Sequence, residues 1–192
     1  MVKNVYSIGF VLFMATMLVF FGLYFFGRST EYFNNSLLAN AFLLPVIYLA
    51  GAYVSVDSVR KAGIKMGFRD AFGRAFKPMF FGGLLSVLGI FLFLNFGDRS
   101  AKDLLNYQYI ERQKTELDAE YEKADQFLVK PEEKKELLEK YEQRKKSFSP
   151  EMIKDKDMFS FRQFTYYFAA VLIFYVILST FFASFFRSRT EL

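Results

Sequence analysis

The sequence predicts an all-α, polytopic membrane protein with four transmembrane helices and an extracytoplasmic helical hairpin between spans three and four. Three observations carry that reading. Val5–Gly27, Tyr32–Val56, Pro78–Gly97 and Gln163–Phe186 run for 23, 25, 20 and 24 residues without an Asp, Glu, Lys or Arg. A helix rises about 1.5 Å per residue and the hydrocarbon core is roughly 30 Å thick, so each stretch is long enough to cross. Charge is segregated: 31 of the 45 charged residues lie in Asp98–Arg162 and 8 more in Asp57–Lys77. The large charged segment is itself patterned as two helices. The organisation is a three-span region over 1–97, the charged insert over 98–162, and a fourth span with its tail over 163–192.

The first stretch is too long for the apolar region of a signal peptide and has no small-x-small site before Arg28, so it reads as an uncleaved span. Four spans put both termini and Asp57–Lys77 on one side. That side carries Lys3, Arg60, Lys61, Lys65, Arg69, Arg74, Lys77, Arg187 and Arg189, against Arg28 alone in the opposite short loop. Loops beyond about 60 residues translocate largely regardless of charge, so the expectation is cytoplasmic termini and an outer large loop. Tyr6, Tyr24, Tyr32, Tyr53, Tyr166 and Tyr167 fall near span ends, where a ring with a polar tip belongs. Pro45 is expected to kink the second span. Gly51/Ser55, Gly82/Ser86/Gly89 and Ser179/Ala183 stand at helical spacing, as needed for close helix packing within the bundle or between subunits.

Between spans two and three, Phe68–Lys77 reads as a short amphipathic helix ending where Pro78 begins the third span. Phe68, Phe72 and Phe76 with Ala71 and Ala75 share one arc, and Arg69, Asp70, Gly73, Arg74 and Lys77 the other. Such a helix sets topology or docks a cytoplasmic partner or an anionic membrane lipid; the docking residues would be Phe68, Arg69, Phe72, Arg74, Phe76 and Lys77.

The large insert reads as a hairpin. Ser100 to about Gln126 contains no Gly or Pro. Tyr107, Ile110, Leu117, Tyr121 and Leu128 recur at spacings of three and four with Lys114 and Ala124, a coiled-coil-like seam broken by Lys114. Lys130-Pro131-Glu132-Glu133 restarts a helix, with Pro in the first turn and acids at the positive dipole end. It continues through Leu137, Leu138 and Tyr141 to about Lys146. The seam (Tyr107, Ile110, Leu117, Tyr121, Leu128, Leu138, Tyr141) pairs within the hairpin or with another chain.

Little points to catalysis. The chain has no His and no Cys, and no span holds an ionisable residue. Ser86, Ser179 and Thr180 have no adjacent base, and no phosphate loop or metal-ligand cluster stands out. No catalytic, cofactor-binding or metal residue is assigned, no cofactor is expected, and a net charge of +5 left by a near-neutral insert is no nucleic-acid signal.

Two short-looped spans, the Gly67–Lys77 segment (GFRDAFGRAFK) leading into the third, a Lys/Glu-rich insert and one terminal span with a basic tail make up the order of the whole chain. That order resembles a family of uncharacterised four-span bacterial inner-membrane proteins, a domain of unknown function of the Bacteroidetes type. The resemblance implies an inner-membrane location and no assigned activity. It also implies proximity to polyprenyl-phosphate glycosyltransferases. The leading expectation is a non-enzymatic accessory or scaffold subunit of a larger inner-membrane assembly, with membrane lipids and other subunits or a homo-oligomer as partners. One alternative is a small oligomeric transporter or channel lined by Asn40, Ser86 and Asn95. The other is a membrane partner of such a glycosyltransferase.

Overall fold

The structure, a computed structural model, describes residues 2–153 and 156–188; Arg189, counted above among the basic residues, lies outside them. Among the described residues every regular element is helical. Helix α1 spans Val5–Phe26 and is capped by the Asn4 side chain, which accepts from the Tyr6 N–H at 2.8 Å. Helix α2, Tyr32–Leu38, runs through a π-helical segment, Ala39–Leu43, into α3, Leu44–Lys61. Helix α4, Phe68–Leu92, ends in a second π segment, Phe93–Gly97. Helices α5, Arg99–Phe127, and α6, Pro131–Lys146, form the insert; a short turn, α7 at Pro150–Ile153, precedes α8, Phe161–Phe186. Four helices are long and apolar enough to cross a membrane: Val5–Phe26, Tyr32–Lys61, Phe68–Gly97 and Phe161–Phe186.

The third helix differs from the sequence expectation. Phe68–Lys77 is not a separate helix ending at Pro78; it forms the first turns of α4, and Pro78 is buried inside it. Proline has no N–H for the carbonyl four residues back, here that of Arg74, and such a gap in an apolar setting costs several kcal/mol. Ser55 of α3 fills it, its hydroxyl donating to the Arg74 carbonyl at 2.6 Å. The neighbouring helix thus supplies what Pro78 removes, and α4 continues. The second span likewise extends past Val56, so Asp57, Arg60 and Lys61 are helical and only 62–67 separate α3 from α4. Pro45 coincides with the π segment just before it.

Helix α4 is the hub, packing against α1, α3 and α8. Its approach to α1 is close enough that a Cβ on Gly82 would stand 2.7 Å from the Gly9 carbonyl oxygen, and one on Gly9 would stand 3.0 Å from that of Pro78. Gly51 receives Leu12, whose side chain would lie 2.7 Å from an added Cβ. Each of the small-residue motifs predicted from sequence has members packed inside this bundle: Ser55, Gly82, Ser86, Ser179 and Ala183 are buried. Two apolar clusters result. One, including Ile8, Leu12, Val56, Ala71, Ala75, Met79 and Phe182, lies toward the termini. The other, around Tyr32, Leu94, Ala101, Leu105 and Phe164, lies toward the insert.

Gly82→Val should drive a branched side chain into the Gly9 backbone and lower the thermal midpoint of the detergent-solubilised protein, overpacking costing about 1–3 kcal/mol. Gly22→Ala, with open space around the added carbon, should leave it unchanged or raise it. Ser55→Ala should cost about 1–3 kcal/mol by stranding the Arg74 carbonyl. Melting curves followed by size-exclusion chromatography compare the three; equal midpoints for Gly82→Val and Gly22→Ala would refute this account of the crossing.

Candidate functional site

The bundle forms an open cavity of about 340 Å³, lined by α1, the second and third spans and α8. Its polar lining converges from four helices. Tyr48 of α3 places its hydroxyl 3.2 Å from that of Thr16 on α1 and 3.4 Å from that of Ser86 on α4. Thr16 also bonds the Leu12 carbonyl at 2.9 Å, and Ser86 donates to the Gly82 carbonyl at 2.8 Å. The Tyr175 ring of α8 stacks on Tyr48 at 5.2 Å and 10°. Gly83 makes room for it: a Cβ there would stand 2.5 Å from the Tyr175 hydroxyl. Asn40, in the π segment, lies at the exposed rim and donates to the Ser36 carbonyl at 2.8 Å.

Of the residues named as a transport path, Asn40 and Ser86 meet at this cavity and Asn95 does not. The Asn95 amide donates to the Phe91 and Phe159 carbonyls at 3.0 and 3.1 Å and accepts from Lys102 at 3.2 Å. Thr16, Tyr48, Gly83 and Tyr175 were not singled out from the sequence. A usable signal exists for two of them: Tyr48 and Tyr175 fall mid-span in a chain that otherwise fills such positions with Phe, so each phenol needs a reason to be there.

A second polar site joins the insert to the bundle. Asp98 caps α5, accepting from the Ser100 and Ala101 N–H groups at 2.9 and 3.2 Å. Its other oxygen accepts from the Tyr24 hydroxyl at 2.8 Å and from Arg28 at 2.9 Å. The Ser100 hydroxyl, then Tyr24, the Ala101 N–H and the Arg28 charge hold the Asp98 carboxyl well below the usual carboxylate range. Farther along α5, Gln108 accepts from the Phe33 N–H at 2.7 Å and donates to the Ser29 carbonyl at 2.8 Å, and Arg112 donates to Asn34 at 2.9 Å. Lys102 meets Asp157 at 3.0 Å and Asn106 donates to Asp157 at 3.1 Å, pinning the segment before α8. Burial opposes the Asp157 charge, but Asn106, Lys102 and the Phe159 N–H outweigh it and keep the carboxyl below its usual range.

The profile of one family matches residues 7–188. The chain belongs to the family described as Protein of unknown function (DUF4199). No curated protein and no solved structure matches it.

In this DUF4199 protein the predicted basic segment is divided. Phe68, Arg69 and Lys77 are exposed, whereas Ala71 and Ala75 are fully buried and Phe72 and Phe76 pack against the core. Arg74 turns inward, against the polar-face assignment, and donates to the Lys3 carbonyl at 2.8 Å, the Ser55 carbonyl at 3.2 Å and the Ser58 hydroxyl at 3.1 Å. The free basic surface is therefore Arg69 and Lys77, while Arg74 ties the N-terminal segment to α3.

The predicted seam is likewise divided. Ile110 and Leu117 are buried, Tyr107 and Leu138 are exposed, and Leu128 falls just past the end of α5 in extended backbone. Helices α5 and α6 run antiparallel. Tyr121 stacks on Tyr141 at 4.4 Å, the Tyr141 hydroxyl donates to Asp118 at 2.6 Å, Arg144 meets Glu120 at 2.7 Å, and Lys134 meets Asp125 at 3.1 Å. The Tyr141 hydroxyl, aided by Lys145, lowers the Asp118 carboxyl below its usual range. One stacked tyrosine pair with polar bonds around it holds the hairpin, in place of a continuous apolar seam.

Asp98→Asn should lower the thermal midpoint at pH 7, because Tyr24 and Arg28 lose a charged acceptor. A carboxyl held below its unfolded value of about 4 stabilises fully above that pH and loses its contribution as pH falls through the folded value. The gap between native and variant midpoints should therefore narrow from pH 7 to pH 3. A gap that stays constant over that range would show that the Asp98 charge does not fasten the insert.

Proposed function

We propose that this protein is a non-enzymatic accessory or scaffold subunit of a larger bacterial inner-membrane assembly, with cytoplasmic termini and the hairpin presented on the outer side. The observation that carries the reading is the contrast between the two ends of the hairpin. The base of α5 is locked to the bundle by Asp98, Lys102, Gln108 and Arg112. Among the described residues the far half has no such anchor: α6 has no buried residue and packs against α5. At the turn, Phe127 and Val129 are 84% and 90% exposed, apolar side chains at the tip of a polar arm. Helix α5, 29 residues long, runs about 43 Å at 1.5 Å per residue, and roughly its second half, beyond Arg112, extends past the anchored base. Fixing a projecting helix pair firmly at its base suits presentation of its tip to another protein. Around the opposite end, exposed Arg60, Lys61, Arg69 and Lys77 match the anionic inner leaflet.

Two measurements test this. The chain contains no cysteine, so Val2→Cys and Lys123→Cys each introduce a unique thiol. In intact cells an impermeant thiol reagent should label position 123 and spare position 2; the reverse pattern would invert the topology. Affinity purification in mild detergent with mass spectrometry should recover a partner at fixed stoichiometry. Phe127→Ser with Val129→Ser should release it while leaving the labelling pattern unchanged. A chain that purifies repeatedly as a lone monomer would defeat the scaffold reading.

A further inference from the structure

We propose that the intramembrane cavity beneath Asn40 binds the carbonyl-bearing head of a neutral, lipid-soluble molecule that enters sideways from the bilayer, with the Tyr175 hydroxyl as hydrogen-bond donor.

The hydroxyl protons decide which group is free. Ser86 spends its proton on the Gly82 carbonyl one turn back, Thr16 donates to the Leu12 carbonyl or to the Tyr48 hydroxyl, and the Tyr48 proton is left to reach the Ser86 oxygen. Tyr175 is 4% exposed and its hydroxyl lies beside that of Tyr48, so an acceptor in the cavity would compete with Tyr48 for its proton. A phenol at the wall of a largely apolar cavity is stabilised further when something in the cavity accepts from it. Gly83 leaves the space that brings this hydroxyl to the cavity wall.

The rim is also polar. The Leu44 N–H bonds the Ala39 carbonyl, and Pro45 has no N–H, so the Asn40 carbonyl loses both the donor four residues on and the donor five residues on. π segments of this kind recur at functional sites.

The lining also sets the class of ligand. None of its residues is ionisable at neutral pH, and apart from the four hydroxyl side chains and Asn40 the walls are apolar, including Leu44, Pro45, Ile90, Val171 and Phe174. An anion would find no countercharge there. Ligand sites run roughly 300–1,000 Å³, so about 340 Å³ holds a head and not a whole lipid. Exposed Asn40, Ala170 and Phe174 frame the opening through which an apolar tail would leave into the bilayer. A substituted quinone ring and a glyceride ester both present this chemistry.

The test uses the full chain in phosphatidylcholine nanodiscs with two photoactivatable probes, a decyl benzoquinone and a dioctanoylglycerol, each carrying a diazirine. At least one should label saturably, be competed by its unlabelled form, and map to α8 or α3; which one competes identifies the source. Ala170→Trp should fill the opening and suppress labelling at least tenfold. Ala169→Trp, on the exposed surface beside it, should not. Tyr175→Phe keeps the ring and should weaken binding about fivefold, the worth of one hydrogen bond. Circular dichroism checks that each variant is folded. If neither probe saturates, or if folded Ala170→Trp or Tyr175→Phe binds like the native chain, the proposal is overturned.

Discussion

Everything in the bundle depends on α4 running unbroken through Pro78. In water a carbonyl freed by proline turns to solvent, but in a bilayer it must find a donor within the protein. Ser55 supplies that donor, and the arrangement is reciprocal: the Arg74 guanidinium returns to the Ser55 carbonyl and the Ser58 hydroxyl, then reaches the Lys3 carbonyl. Three segments distant in sequence meet around one proline-generated vacancy. With α4 continuous, its glycines lie where α1 can approach backbone to backbone, and α8 packs along another flank.

The polar residues divide by depth. Charges stand at the two ends of the bundle, where pairs such as Arg28–Asp98 and the buried Asp57 with Arg60 and Lys61 are hydrogen-bonded. In the middle, polarity is limited to hydroxyls and one amide, groups that can bond to helix carbonyls without desolvating a charge. The hairpin follows different physics. Its exposed pairs, Lys140–Glu136 among them, add little individually to stability, so its shape rests on the Tyr121–Tyr141 contact and on the anchored base of α5. A stiff arm is compatible with so thin an interface because half of α5 is held by the bundle.

Much of this was legible in the sequence. The four uncharged stretches became the four long helices, α5 and α6 begin and end within a residue or two of the expected bounds, and the small-residue motifs fall inside the bundle. Those features depend on local composition, which a single chain displays directly. The basic segment was legible only in part: its helical periodicity was right, but amphipathicity could not tell that Ala71 and Ala75 face protein while Arg74 bends back into it.

The sequence by itself determined the number of crossings, the helical insert and the polar ends, because crossing a 30 Å apolar layer and staying soluble outside it constrain residue type along the chain. Only the tertiary structure decided that Pro78 lies within a helix, that Asn40 and Ser86 share a cavity while Asn95 bonds elsewhere, and that Tyr175 arrives stacked on Tyr48 at the cavity wall. The reason is physical: periodicity reports the average surroundings of a helix face, whereas the partner of a single polar atom comes from another helix whose register is set by packing.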